Sequence, residues 1–313
     1  LSPAQWALVE RIATDARLTV VGDPRQAIYA WNGADPAVFD ALAARRDTRT
    51  IDLVRNYRSQ ATLLVTANRV MGRYPPLQAV RGDETAESLL VRPATVDAHD
   101  DAVVRVVERW LDAGVPDDEI AVLVRTNEQV DRLTRRLRQA GRAVRALGLP
   151  PLPATHAFRL AQRLLPAEHD PDDETLAATM DRLRARPDVQ DAVLRGARPG
   201  PEEDPWSDWH RLTAELAEQE RRGVADPAVA LEAVAEDAEG QRATGGVVVA
   251  TVHKAKGLEW SAVVVAEATR RSYRDTEEDR CLAYVALTRA RDRRAVVAHQ
   301  DGDGLTPLLD DGH

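Results

Sequence analysis

Short runs of apolar, β-branched residues alternate along this chain with segments of helical periodicity, and this alternation limits the possible folds more than any other feature. The strand candidates are Leu18–Val21, Thr50–Val54, Ser88–Val91, Ile120–Val124, Val144–Leu147, Val247–Thr251, Ala262–Ala266 and Arg294–Ala298. The helical patterns between many of them are Pro36–Arg45, Ser59–Met71, Asp97–Ala113, Asn127–Ala140 and Glu277–Arg291. Strands that alternate with helices form a parallel sheet with helices on both faces. The sequence therefore predicts an α/β fold.

Residues 151–240 interrupt this alternation. They contain helical patterns and no convincing strand; the patterns lie near Thr155–Leu165, Thr175–Ala185, Trp206–Arg222 and Pro227–Asp237. The segment holds 10 basic and 20 acidic residues, so its charge is −10. We therefore predict a small, acidic, all-helical insertion, in which Trp206 and Trp209 are core residues rather than a strand-separating wedge.

Composition excludes several classes of protein. The chain has 313 residues, a net charge of −9 and one cysteine, Cys281, which rules out an internal disulfide and a cysteine-based zinc site. No run approaches the roughly 18 apolar residues that a membrane helix needs, so we expect a cytoplasmic protein without a membrane partner. An acidic total argues against a protein that coats nucleic acid nonspecifically, but residues 241–300 carry 11 basic and 7 acidic residues and could form a local positive face.

The two lysines of the chain, Lys254 and Lys256, lie in one polar segment among 40 arginines elsewhere. Arginine would replace lysine on most surfaces, so a compact ammonium or a tight contact explains this clustering better. Thr251, His253 and the backbone amides toward Gly257 could hold a nucleic-acid phosphate, and Glu259 could accept a hydrogen bond from a ribose hydroxyl. The alternative for His253 alone is an ordinary exposed histidine.

Two further segments follow strand candidates and carry side chains suited to binding. In the first, Gln26 could bind a phosphate or position a water, and Tyr29 and Trp31 could stack on bases; the alternative is a Gly-Asp-Pro turn with two core aromatics. In the second, Tyr57 could cover a purine and Arg58, beside a helix N-terminus, could bind a phosphate. The alternative there is a solvated arginine and a packed tyrosine.

Arg289 follows Thr288 in the mostly apolar helical pattern Cys281–Arg291. An arginine that emerges from buried surroundings is costly unless it meets an anion, and a phosphoryl group in transfer is such an anion. The alternative is an ion pair with an acid from Glu277, Glu278 or Asp279. Cys281 is most simply a small core residue.

In this order, the segments resemble motifs III to VI of the UvrD/Rep-like superfamily 1 DNA helicases. The matching residues are Gly22-Asp-Pro-x-Gln-x-Ile-Tyr29, Asn56-Tyr-Arg-Ser59, Thr251-Val-His-x-Ala-Lys-Gly-Leu-Glu259 and Tyr284-Val-Ala-Leu-Thr-Arg-Ala290, with a weaker match at Ile120–Asn127. The resemblance covers residues 1–147 and 241–300. It implies the RecA-like sheet of a P-loop NTPase helicase second motor domain and ATP-driven 3′ to 5′ movement on single-stranded or partly duplex DNA.

The resemblance also implies a role for each matching residue. Gln26, Arg58 and Arg289 would contact the γ-phosphate as catalytic residues, with Arg289 as an arginine finger. The ATP-binding residues would be Gln26, Tyr57, Arg58, Gly257, Glu259 and Arg289. The DNA-binding residues would be Tyr29, Trp31, Thr251, His253 and Lys254.

The chain departs from the family pattern in three places. It contains no G-x-x-x-x-G-K-[S/T] phosphate loop (Walker A) and no acidic Mg²⁺-binding segment (Walker B) before Pro3–Ile12. We therefore expect the ligands of Mg²⁺ to lie outside this chain and the chain alone to be inactive as an ATPase. Asn32 replaces a frequent arginine, and the insertion is smaller than the accessory subdomain usual in the family, which leaves unwinding, as distinct from translocation, open.

We read residues 1–47 as the end of a first RecA-like domain, 48–150 and 241–313 as a second one with an acidic tail, and 151–240 as the helical insertion. The leading interpretation is the C-terminal part of an ATP-dependent DNA helicase or translocase in DNA repair or recombination. Its partners would be the N-terminal motor domain of the same polypeptide and repair proteins. The alternatives are a non-catalytic helicase-like module that binds DNA or protein, and the motor part of a helicase-nuclease.

Overall fold

A computed structural model describes residues 2–13, 16–29, 33, 35, 37–196, 205–243, 245–301 and 304–310. The helices are α1 (Pro3–Ile12), α2 (Ala37–Ala43), α3 (Ala61–Val70), α4 (Val96–Asp112), α5 (Asn127–Gln139), α6 (His156–Glu168), α7 (Leu176–Arg184), α8 (Pro187–Gly196), α9 (Ser207–Arg221), α10 (Pro227–Ala243), α11 (Val252–Ala255) and α12 (Glu277–Leu287). The strands are β1 (Arg55–Asn56), β2 (Gln78–Ala79), β3 (Glu87–Val91), β4 (Ile120–Val124), β5 (Val144–Leu147), β6 (Val247–Thr251), β7 (Trp260–Val265) and β8 (Ala290–Val297). None of the helices in these ranges is long and apolar enough to cross a membrane.

The chain divides into two compact units. The first unit comprises Leu1–Arg125 and Ala250–His313, and the second comprises Thr126–Val249. The second unit therefore extends on both sides of the predicted insertion, 151–240, and also contains α5, β5 and most of β6.

The core of the first unit is a parallel sheet with the strand order β3-β8-β7-β4. Every residue of β4 is buried, and so are five of the six residues of β7. Since consecutive side chains of a strand point to opposite faces, this burial means that both faces of the sheet are covered. Helices α3 and α4 contribute to that cover, since both pack against β8. The predicted α/β fold with a parallel sheet is confirmed.

Two of the predicted strands are not strands in the structure. Residues 18–21 and 50–54 belong to no strand, and Val21 and Leu53 are among their exposed apolar side chains. A β-strand exists only where a neighbouring strand takes up its N–H and C=O groups. Within the described residues, pairing near these segments is limited to the two residues of β1, which lie parallel to β2.

The boundaries of the last helix and strand also differ from the prediction. Helix α12 ends at Leu287 rather than near Arg291, and Thr288 is its C-cap, with a hydroxyl that donates to the carbonyl of Tyr284 at 2.8 Å. Strand β8 starts at Ala290 instead of Arg294. Arg289 consequently lies between helix and strand rather than on the helix.

The second unit contains the expected helices around a core of its own. Helices α6, α7, α9 and α10 correspond to the four patterns in the sequence, and α8 was not predicted. The apolar side of α8 consists of Val189 and Val193, too few residues for a clear periodic signal, although Pro187 at its first turn is a typical helix start. Trp209 is fully buried in this core, as predicted, and its indole N–H donates to the carbonyl of Met180 at 3.3 Å.

Candidate functional site

The loop from Gly22 to Gln26 is held by Asp23. This residue caps the 3₁₀ turn Pro24–Gln26: its Oδ1 accepts from the Arg25 N–H at 3.0 Å, and its Oδ2 accepts from the Gln26 side-chain amide at 2.9 Å. A Cβ atom on Gly22 would lie 2.2 Å from the ring of Phe39, so a larger residue here would have to displace that ring. The sequence thereby fixes the amide of Gln26 in one orientation.

Arg25, which the sequence analysis did not single out, ties this loop to two other elements. Its Nε donates to Asp23 Oδ1 at 3.0 Å and a terminal nitrogen donates to the Pro75 carbonyl at 3.2 Å. Its guanidinium also lies 5.5 Å from the ring centre of Tyr284 on α12 and 5.8 Å from that of Tyr74, distances typical of cation–π contacts. The signal that could have found it is its position between two residues of the recognised motif, Pro24 and Gln26.

Lys256 joins the lysine segment to the same loop. Its ammonium donates to the carbonyl of Gln26 at 2.7 Å and lies 4.9 Å from the ring centre of Tyr29. Burial lowers the pKa of Lys256 below its ordinary value. The Tyr29 hydroxyl in turn donates to the carbonyl of His253 at 3.3 Å. Two segments that are about 225 residues apart in sequence therefore meet, which explains why a lysine rather than an arginine stands at position 256.

Arg58 and Glu259 form an ion pair. The guanidinium Nε of Arg58 donates to Glu259 Oε2, and another nitrogen donates to the carbonyl of Thr288 at 3.2 Å. The side chain of Asn56 fixes the turn, because its Oδ1 accepts from the N–H groups of Arg58 and Ser59 at 3.0 and 2.8 Å. Both charged partners keep part of their surface exposed. Next to them the ring of Tyr57 is 65% exposed, so it is available for stacking.

Arg289 is buried without an acidic partner in the described part of the chain. Its Nε donates to the Val285 carbonyl at 2.9 Å, and its terminal nitrogens donate to the Leu258 carbonyl and the Thr288 hydroxyl, each at 3.0 Å. Burial, followed by the charge of the nearby Arg58, lowers the pKa of Arg289 to about 10. The guanidinium is therefore still charged at neutral pH.

The alternative in which Arg289 pairs with an acid of α12 is wrong. Glu277 pairs with Arg73, and Asp279 lies 3.6 Å from Arg125. Arg289 instead lies beside Arg58 and in the field of Glu259. The structure thus brings Arg58, Glu259 and Arg289 together, and Lys256 attaches the Gln26 backbone to the same region.

The segment after β6 is a short helix, α11, rather than the loop that the sequence suggested. Thr251 is its N-cap, and the threonine hydroxyl accepts from the Lys254 N–H at 3.4 Å. Lys254 is exposed, and Gly257 is exposed with φ at +89°, a backbone conformation that favours glycine. Among the predicted DNA-binding residues, Thr251, His253 and Lys254 thus share one turn, and Tyr29 reaches it. Trp31 and Asn32 lie outside the described residues.

Cys281 is buried, and burial together with the charge of Glu277 raises the pKa of its thiol to about 11. At pH 8 about one molecule in 10³ carries the thiolate, against about a quarter for an exposed thiol with a pKa near 8.5. Since Cys281 is the single cysteine, we expect iodoacetamide to label the native chain at least about 200-fold more slowly than the urea-unfolded chain at pH 8. The native rate should rise about tenfold per pH unit up to pH 10. Equal rates for native and unfolded chains would contradict the burial of this thiol.

Comparisons with known proteins agree with this arrangement of motifs. The family of UvrD/REP helicase N-terminal domains matches residues 1–46, and the family of UvrD-like helicase C-terminal domains matches residues 246–297. The ATP-dependent DNA helicase UvrD2 of Mycobacterium tuberculosis is 31% identical in an alignment 307 residues long. The alignment covers 88% of this chain and 42% of that protein. UvrD1 of the same organism is 35% identical over 161 residues, which cover 46% of this chain and 21% of that protein.

Among solved structures, the C-terminal domain of a possible DNA helicase from Lactobacillus plantarum aligns with a TM-score of 0.41 and 16% identity, over 81% of this chain and 92% of that one. Both matched families are families of UvrD-like helicase domains, one N-terminal and one C-terminal. More specifically, these matches and the UvrD2 relatives support a place for the chain among the UvrD/Rep-like superfamily 1 helicases. It spans less than half the length of the UvrD2 proteins that it matches, 42%.

Proposed function

We propose that this chain is the C-terminal portion of an ATP-dependent DNA helicase or translocase that moves 3′ to 5′ on single-stranded DNA during repair or recombination. The observation that carries the proposal is the grouping of Arg58, Glu259 and Arg289 beside the Gln26 loop. Two cations and an acid at one place, with an exposed aromatic next to them, suit a nucleotide.

The state of Arg289 supports a γ-phosphate contact. Its hydrogen-bond partners in the described residues are carbonyl and hydroxyl groups alone, so an anion would be bound without first breaking an ion pair. Phosphoryl transfer depends mainly on positioning and on neutralising charge at the γ-phosphate. We assign that role to Arg289 and Arg58, with Gln26 as the sensor of the phosphate.

The remaining nucleotide contacts are assigned to residues whose surface is exposed next to Arg58. Tyr57 would stack on the adenine, and Glu259 would accept from the ribose hydroxyl after exchanging its bond to Arg58. Gly257 would let the backbone approach the nucleotide closely. Mg²⁺, whose ligands we place outside this chain, would neutralise charge on the phosphates.

The DNA would contact Tyr29, Trp31, Thr251, His253 and Lys254. Backbone and hydroxyl donors at the start of α11 with an exposed lysine suit a phosphate, and stacking on an aromatic is tolerant of base sequence, as a translocating motor requires. The partner of the chain would be an N-terminal motor domain in the same polypeptide, in the cytoplasm and alongside repair proteins.

The test compares ATP hydrolysis by the 313-residue chain and by the full-length polypeptide, each with and without a single-stranded oligonucleotide. We expect turnover by the full-length polypeptide only, and only when DNA is present. ATP turnover by the 313-residue chain would contradict the proposal that it lacks half of the site. A full-length polypeptide that binds DNA without hydrolysing ATP would favour the non-catalytic module instead.

A further inference from the structure

Most of the connection between β7 and α12 is a loop, residues 268–276, that presents three exposed arginines: Arg270, Arg271 and Arg274. We propose that this loop, called the arginine loop below, is an additional binding site for the phosphodiester backbone of single-stranded DNA. The inference rests on the proposed DNA-binding function and extends it to residues outside the helicase motifs.

The charges of the arginine loop are not neutralised within the described residues. The side chains of Arg270, Arg271 and Arg274 have no hydrogen-bond or ion-pair partner there. The one acid of the loop, Asp275, pairs with Arg280 on α12 at 2.6 Å. Three guanidinium groups without carboxylate partners on one short loop create a local positive potential.

The acids that follow the loop are largely neutralised by other arginines. Glu277 pairs with Arg73, and the buried Asp279 lies 3.6 Å from Arg125 and accepts from the Thr276 hydroxyl. This leaves Glu278 as the acid of that turn with the least compensation, against three arginines of the loop. An anionic ligand is therefore attracted rather than repelled here.

The start of the loop is fixed by a buried network at the end of β7. Glu267 has φ at +53°, and its N–H donates to His99 Nε2 at 3.0 Å. The His99 Nδ1–H then donates to Asp100 Oδ1 at 2.9 Å, and the ring of His299 lies 3.1 Å from Glu267 Oε2. Because both nitrogens of His99 are occupied, the group His99, Asp100 and Glu267 serves as a frame and offers no imidazole lone pair to a metal.

The middle and end of the loop are fixed as well. The side chain of Tyr273 is fully buried, and its carbonyl accepts from the Thr306 hydroxyl at 2.8 Å. The Arg270 N–H donates to the Gly304 carbonyl at 3.1 Å, and the Arg274 N–H donates to Asp279 Oδ2 at 3.2 Å. The backbone is thus held while the arginines extend outward, which lowers the entropy lost on binding.

The loop lies at an edge of the sheet that suits a ligand. It follows the carboxyl end of a parallel strand, the edge at which ligands of open α/β sheets bind. Helix α11, which carries the proposed phosphate contacts, packs against β4 and α12; β4 is the sheet neighbour of β7, and α12 follows the loop. Since the aromatic ring of Tyr273 is buried, the loop has arginines to offer and no stacking platform. Phosphates rather than bases are therefore its ligand.

The test measures binding of the 313-residue chain to fluorescent oligo-dT of 20 nucleotides at 50–200 mM NaCl. One single-strand phosphate contact contributes about 0.7 to the slope of log K against log salt. We expect the triple change Arg270→Ala, Arg271→Ala and Arg274→Ala to reduce that slope by about 2 and the affinity at 0.1 M salt by about 10². The triple lysine variant, which keeps the charge, should retain most of the slope.

A matched pair of charge reversals separates the site from the effect of net charge. Arg271→Glu should weaken binding, whereas Arg105→Glu, on the exposed side of α4 in the same unit, should leave the affinity within about twofold. Equal losses in both variants, an unchanged slope in the triple alanine variant, or a loss confined to duplex DNA would overturn the inference. Failure of the unchanged chain to bind oligo-dT at all would overturn the DNA-binding function together with it.

Discussion

Replacing Arg289 with alanine is expected to reduce DNA-stimulated ATP turnover of the full-length polypeptide by about 10³–10⁵, the range for loss of an arginine finger. The physical reason is that Arg289 supplies a charged group whose partners in the described residues are neutral, close to the second cation, Arg58. Steady-state ATP hydrolysis at saturating oligonucleotide measures the effect. Binding of ATP should change much less than turnover, because the contact strengthens as charge develops on the transferred phosphoryl group.

The control for this variant is Arg294→Ala. Arg294 is also 1% exposed, and its guanidinium likewise donates to a backbone carbonyl, that of Leu63, at 2.8 Å, and to the Ser88 hydroxyl at 2.9 Å. Both substitutions remove a buried guanidinium and leave a carbonyl without its donor, so both should lower stability by a similar amount. We expect only Arg289→Ala to abolish turnover by the protein that remains folded. Wild-type ATPase in Arg289→Ala would contradict the finger assignment.

Residue types and their spacing predicted the segments that form the candidate site, but not the bonds within it. Arg58 and Glu259 were assigned to different parts of a nucleotide, and the structure pairs them with each other. The partners of Arg289 could not be predicted either, because they are carbonyl groups whose positions depend on where α12 ends and β8 begins. Such bonds depend on long-range register, which a local pattern does not contain.

Lys256 is a contact residue that the sequence singled out, and Arg25 is one that it did not. The clustering of the two lysines indicated that something at that place required lysine, and the contact of Lys256 with the Gln26 carbonyl and the Tyr29 ring supplies a reason. Arg25 had no such signal, since it is one of 40 arginines, although it contacts Asp23, Pro75 and two tyrosine rings. The rarity of lysine thus pointed to Lys256. The position of Arg25 between two residues of a recognised motif is the corresponding signal for the arginine.

The strand predictions succeeded where a partner strand exists in the chain. Residues 120–124 and 247–251 form strands with every residue buried, whereas residues 18–21 and 50–54, which are also mostly apolar, do not form strands. β-propensity describes how well a side chain fits a pleated, half-buried surface, and it does not supply the neighbouring strand. Apolar, β-branched composition is therefore an insufficient signal for a strand.

In the second unit, Trp209→Ala is expected to destabilise the fold by about 3–5 kcal/mol, the usual cost of truncating a fully buried tryptophan. The change leaves a cavity among the helices and removes the indole N–H that donates to the Met180 carbonyl. Denaturant unfolding of the 313-residue chain, followed by circular dichroism, measures the loss.

Trp206→Ala is the matched control. The ring of Trp206 packs edge-on to Trp209 at 6.0 Å but stays partly exposed. Its removal should therefore cost only about 0.5–1.5 kcal/mol for the aromatic pair, plus a small burial contribution. A wild-type midpoint in Trp209→Ala would mean that Trp209 is not a core residue, and would reopen the alternative that it acts as a strand-separating wedge.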